Sequence, residues 1–182
     1  MPDTLSPEVD EPLAMRWSIG RILAVLAFLA MVAFWAWIFT GGPKKANPDR
    51  LADRAWVSTA VDRCQRMLDD LDEIPSAAET PTPAERAKNV RAADAVLSKM
   101  VDDLEASAPT DPKDREVLDH WFNDWRVYLK DRARYADAVA TDPGAVFEIT
   151  ENERLHRGVD DTLKTFADVN DMPDCAPPGD VG

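Results

Sequence analysis

Cys64 and Cys175 are the two cysteines of the chain. Joined, they close a loop of about 110 residues, for which chain entropy gives roughly 4–5 kcal/mol of stabilisation. The alternative is one buried thiol and one exposed thiol. Exposed free thiols are a liability in an oxidising space, so the disulfide is the expectation. Such a bond pins the Pro-rich tail around Cys175 and carries no catalytic information. Trp121, Trp125 and Tyr128 stand at i, i+4 and i+7. An aromatic stripe binds a sugar or a cation in some proteins, but at helical spacing it is far more often core. Trp56 and Phe122 fall on the flanks of such stripes, and we expect them to be partly exposed. With the basic row Arg126, Lys130 and Arg134 they form the candidate partner surface. That row could recognise phosphate or carboxylate groups. The bland alternative is a solvated face paired with acids of a neighbouring helix.

Two acidic clusters, Asp69, Asp70, Asp72, Glu73 and Asp102, Asp103, Glu105, sit at expected helix C-termini, where they oppose the helix dipole. A calcium site would explain that misfit. No EF-hand spacing is present, however, and antiparallel helices would hold the clusters at opposite ends. His120 and His156 lack the H-E-x-x-H or C-x-x-C context of zinc. No G-x-S-x-G and no phosphate-cradling glycine loop occurs. We therefore expect no metal and no cofactor, and nothing here argues for an enzyme, which stays open because a paired-carboxylate site leaves no local motif.

The elements that must position these residues begin with an anchor. Ile22 to Phe39 are eighteen consecutive apolar residues, roughly 27 Å of helix and close to the hydrocarbon thickness of a bilayer. A cleaved signal peptide is the competing reading, but the apolar core is longer than usual and Pro43 follows badly for cleavage. The expected layout is a disordered cytoplasmic tail (1–15), a transmembrane anchor (16–42), a linker (43–47) and an acidic extracytoplasmic helical domain (48–182).

Charge and sidedness follow. The net charge is −13, and residues 1–45 carry four bases and four acids, so all of it falls on the rest. So acidic a domain repels nucleic acid, which is excluded as a partner. Arg16 and Arg21 flank one end of the anchor and Lys44, Lys45, Arg50 and Arg54 the other. That count favours the C-terminal side in the cytoplasm, yet large domains translocate largely regardless of charge. The cysteine pair favours translocation, so we expect the N-terminus inside and the domain outside.

Within the domain the fold class is mainly α, with an antiparallel three-helix bundle after the anchor. Helix one runs from about Pro48 to Ile74, with Asn47-Pro48 as its start signal. Thr82-Pro83-Ala84-Glu85 is a capping box opening helix two. Asp111-Pro112 opens helix three, which reaches about Ala140. Then Thr141-Asp142-Pro143-Gly144 is a turn signal. Ala145–Thr150 (AVFEIT) alternates and reads as the first strand of a small hairpin that returns over Leu155–Val159. Asp160 caps a short helix to about Val169, and 171–182 is an extended, disulfide-pinned tail.

The layout resembles a group of actinobacterial single-pass membrane proteins of no known activity. The stretches that carry it are WAWIFTGGPKKANPDRLADRAWV at the membrane exit, EASAPTDPKDRE between helices two and three, and the closing FADVNDMPDCAPPGDVG. The resemblance covers residues from about 30 onward. It implies an envelope location and a helical domain, and no functional residue. The expected role is a membrane-anchored interaction or scaffold module for an envelope protein partner, held to the bilayer through residues 22–39. The alternatives are a calcium- or ligand-sensing envelope domain and, last, an envelope enzyme.

Overall fold

The computed structural model describes residues 18–80 and 82–179. The expectation for the 1–15 tail lies outside these residues. The chain divides into two compact units, 1–43 and 44–182.

In the first unit, helix α1 (Ile19–Phe39) has no buried residue. Its length and composition suit a membrane span, and a signal sequence passes the same test. Its ends are built locally. The Ser18 hydroxyl oxygen accepts from the Arg21 amide at 3.4 Å. The Thr40 hydroxyl donates back to the Ala36 carbonyl at 2.8 Å. Gly41 follows at φ 75°, the left-handed conformation that stops helices and that glycine adopts without cost. Gly42 is required by close approach: a Cβ there would lie 2.2 Å from the Trp37 indole nitrogen. One helical turn, α2 (Gly42–Lys45), occupies part of the expected linker.

In the second unit, α3 runs Arg54–Asp72, not 48–74. The Asn47 side chain accepts from the Asp49 amide at 2.8 Å and makes a turn instead of a helix start. The amides of Ala52 and Asp53 then donate to the Asp114 carboxylate at 2.9 and 2.8 Å. Asp53 is the true cap, its Oδ1 accepting from the Trp56 amide at 2.9 Å. A 3-10 turn (Ala77–Glu79) interrupts the loop that follows.

Helix α4 (Pro83–Ala106) starts where the sequence places it. The Thr82 oxygen accepts from the Glu85 amide at 3.3 Å, but the Glu85 carboxylate takes the Thr82 hydroxyl at 2.6 Å. Helix α5 (Pro112–Val139) is capped by Asp111, which accepts from the Lys113 and Asp114 amides.

The C-terminal elements differ more. Ala145–Thr150 forms no strand. Its alternating pattern is satisfied by α5 instead: the Phe147 ring sits 5.9 and 5.7 Å from the rings of Tyr128 and Tyr135. The Thr150 amide and hydroxyl both donate to the Asp131 carboxylate, at 2.7 and 2.8 Å. The antiparallel strands are two residues each, β1 (Glu151–Asn152) and β2 (Arg157–Gly158), with Glu151 opposite Gly158. Helix α6 (Val159–Val169) is capped by Gly158, not Asp160. Leu163 and Phe166 are buried as expected. In the tail, Pro173–Cys175 is a 3-10 turn.

Helix α5 is central, packing on both α4 and α6, while α3 meets α4 and the 173–175 turn. Trp125, Tyr128, Leu97, Met100 and Leu118 are among the fully buried core side chains. Glu105, late on α4, meets Arg115 in the first turn of α5 and Arg126 at its middle, whereas Arg86, early on α4, meets Tyr135 late on α5.

Candidate functional site

Cys64 and Cys175 form a disulfide, with 5.1 Å between their Cα atoms. It sits in a wider clasp that the sequence did not reveal. Asn170 is fully buried; its Oδ1 accepts from the Leu51 amide at 2.8 Å and its Nδ2 donates to the Asp49 carbonyl at 3.1 Å. Asp171, at φ 60°, accepts from Lys44 (2.7 Å), Arg50 (2.6 Å) and Arg54 (3.0 Å). Hydrogen bonding from Lys44, then Arg50, holds its carboxyl down at about 2. The sequence presented those three bases only as flanks of the anchor.

The expected partner surface is redrawn. Trp56 and Phe122 are 6% and 1% exposed, and the expectation of exposed flanks is corrected for both. Trp56 lies in the first turn of a helix that starts six residues later than expected, where it joins the core. Phe122 is buried because α5 has neighbours on more than one side, so its apolar face is wider than one stripe. Arg126, Lys130 and Arg134 are exposed on α5. Arg126 pairs with Glu105 of α4, and Arg134 with Asp131 at 2.7 Å and with the Thr150 hydroxyl at 3.5 Å. Lys130 has no ion pair among the described residues.

The acidic clusters are not at opposite ends. Arg63 donates to Asp103 at 2.7 Å, so Asp103 lies beside the middle of α3, about two turns from Asp70. Asp69, Asp70 and Asp103 line one surface hollow, which Arg63, Arg66 and Lys99 share. Lys99 and Arg63 hold the Asp103 carboxyl below its ordinary range. Among the described residues, no three or more His, Cys, Asp or Glu side chains gather where a metal could be held.

A separate cleft of about 580 Å³ runs along the N-terminal half of α5. Asp124 organises it. This 8%-exposed carboxylate accepts from Asn152 Nδ2 (2.8 Å), at the hairpin, and from the Thr162 hydroxyl (2.9 Å), on α6. Three elements are thereby tied around one side chain, and their gap is the cleft. Its floor is apolar: Val117, Trp121, Leu155, Phe166 and Val169. The Trp121 and Phe166 rings stack at 5.2 Å. One end carries Asp49, Lys113 and Glu116; Arg154, Arg157 and His120 stand toward the hairpin. An apolar floor with few convergent polar groups suits reversible binding of an amphipathic ligand. Sequence reading missed this site because Leu155, Phe166 and Val117 come from three separate segments.

On the opposite stretch of α5, fully buried Arg132 pairs with Asp94 of α4. Burial pushes the Asp94 carboxyl up, and Arg132 offsets this only in part.

No family model, no curated protein and no solved structure matches this chain. Its class is therefore defined by its own features: a mainly helical protein with, among the described residues, one helix apolar enough to cross a membrane and a second unit closed by a disulfide.

Proposed function

We propose that this is a single-pass membrane protein whose helical domain stands outside the cytoplasm and docks another envelope protein. In this reading α1 spans the bilayer, the N-terminus is cytoplasmic, and α3, α4 and α5 form an antiparallel three-helix bundle. The observation that carries it is the combination of a bilayer-length apolar helix with a disulfide in the other unit. Structural disulfides persist in oxidising compartments and are rare in the cytosol. The bundle reading is supported by the order of cross-links between α4 and α5.

The docking face is the exposed row Arg126, Lys130 and Arg134, read with the loop beside it. Arg134 reaches Thr150, whose loop exposes Val146 and Ile149. A cationic row beside apolar side chains, on a domain with a large excess of acids, suits an acidic, partly apolar partner segment. A photo-crosslinking residue placed at Lys130 in living cells tests the docking. We expect one discrete adduct from that position and none from the same probe at Lys88 on α4. Monomer alone from both positions rejects the docking.

A further inference from the structure

We propose that the cleft along α5 is a binding site for a small apolar carboxylate, its body against Val117, Leu155, Val169 and the edges of Trp121 and Phe166 and its charged end at Arg154 and Arg157. The inference goes beyond the docking reading and does not depend on it, since the α5 row and the cleft use different residues.

Three observations carry it. The first is size and floor. A cleft of about 580 Å³ holds a ligand of one or two rings, and its apolar lining is Val117, Leu155 and Val169 with the edges of Trp121 and Phe166, whose faces are stacked on each other. The second is the distribution of charge. From Lys113 to Asp124 the cleft follows eleven residues of α5, roughly 16 Å of helix. Asp49 and Glu116 stand at the Lys113 end. Asp124, at the other end, is occupied by Asn152 and Thr162. Arg154 therefore faces that end with no ion pair among the described residues. Arg157 holds Asp161 at 3.2 Å in an exposed i,i+4 pair, which is weak enough to be exchanged. Within the lining of the cleft the cations Arg154 and Arg157 thus stand apart from the acids Asp49 and Glu116, and this gradient favours an anion at the hairpin end against the opposing charge of Glu151 and Glu153 in the adjoining hollow. The third is rigidity. The Arg154 amide donates to Asn152 Oδ1 at 3.0 Å, and Asn152 in turn is held by Asp124. The backbone of the turn at Arg154 is thus fixed to the helix that carries the floor, so binding orders only the exposed arginine side chains.

The arginines would bind the carboxylate through charge-assisted hydrogen bonds, and the two acids at the far end would reject a second anionic group. The ligand class is therefore a monocarboxylate on an aromatic or branched apolar body. A cationic amphiphile of the same shape is disfavoured.

The test uses the full chain in lipid nanodiscs, with empty nanodiscs as the reference, and calorimetry as the readout. The probes are 2-naphthoate, 2-naphthylmethylammonium and acetate. We expect saturable 2-naphthoate binding, at least about tenfold weaker binding of the ammonium probe, and none of acetate. The R154Q/R157Q double variant changes exposed side chains and should weaken 2-naphthoate about tenfold with an unchanged circular dichroism spectrum. T165W, which fills the cleft from its exposed α6 wall, should abolish binding. The proposal is overturned if 2-naphthoate does not saturate, if the ammonium probe binds equally well, or if both variants bind like the parent. Failure here leaves the Lys130 crosslink unaffected, so the two readings fall separately.

Discussion

Asp114, Asp124 and Asp131 look in sequence like three more acids on a solvated helix. In the fold all three are buried, and each accepts from a segment far along the chain. Their value lies in satisfying donors that would otherwise be buried unpaired. Asp131→Ala strands the Thr150 amide and hydroxyl, and we expect a loss of about 2–3 kcal/mol in chemical unfolding. Asp131→Asn keeps an acceptor and should lose less; equal losses would show that charge alone matters there. Asp171 gives a pH dependence. Its folded value of about 2 lies below its ordinary range, so its pairing with Lys44, Arg50 and Arg54 stabilises the fold near neutrality. Unfolded, such a carboxyl titrates near 3.9, so this contribution is full above about pH 4 and is lost as pH falls to about 2. The group is 44% exposed, so the effect is modest and salt-sensitive. Asp171→Asn retains a residue that tolerates positive φ and should flatten that acid limb of the stability curve.

Among the elements, local chemistry wrote some boundaries and tertiary contacts wrote others. The starts of α4 and α5 were legible because Thr82, Pro83, Asp111 and Pro112 act on their own neighbours. Thr82→Ala should therefore cost about 1 kcal/mol, seen as a fall of roughly 3 °C in Tm. The start of α3 was not legible, because the amides of residues 52 and 53 are taken by Asp114, some sixty positions away. Ala145–Thr150 carries a strand pattern that α5 exploits by seating Phe147 between two tyrosines. Alternation states which residues point inward, and is silent on whether the inner surface is a sheet or a helix. The tail is a composite. The Cys64→Ala/Cys175→Ala pair removes a 111-residue closure and should lower stability by roughly 5 kcal/mol at most. Asn170 and Asp171 keep their own partners in that variant. Limited proteolysis should then cut after Met172 and leave α6 intact; cuts inside α6 would show that the disulfide holds the whole C-terminal third.

At the level of the whole molecule, the first expectation concerns where the chain resides. Full-length protein should stay in the pellet after alkaline extraction, with an intact mass that includes residues 19–39; a mature form beginning beyond Gly42 would identify α1 as a cleaved leader. The sequence by itself determined α1, the starts of α4 and α5 and the acidic balance, and it made Cys64–Cys175 the expected pair. Those follow from length, period and the presence of two cysteines, which act within a few residues or admit a single combination. Tertiary structure alone decided that Trp56 and Phe122 are core, that Asp103 pairs with Arg63 of α3, that Lys44 meets Asp171 across 127 positions, and that a cleft opens between α5, α6 and the hairpin. The reason is physical: periodicity reports the direction a side chain points from its own helix axis, whereas burial, ion pairing and cavities depend on which distant surface arrives in that direction.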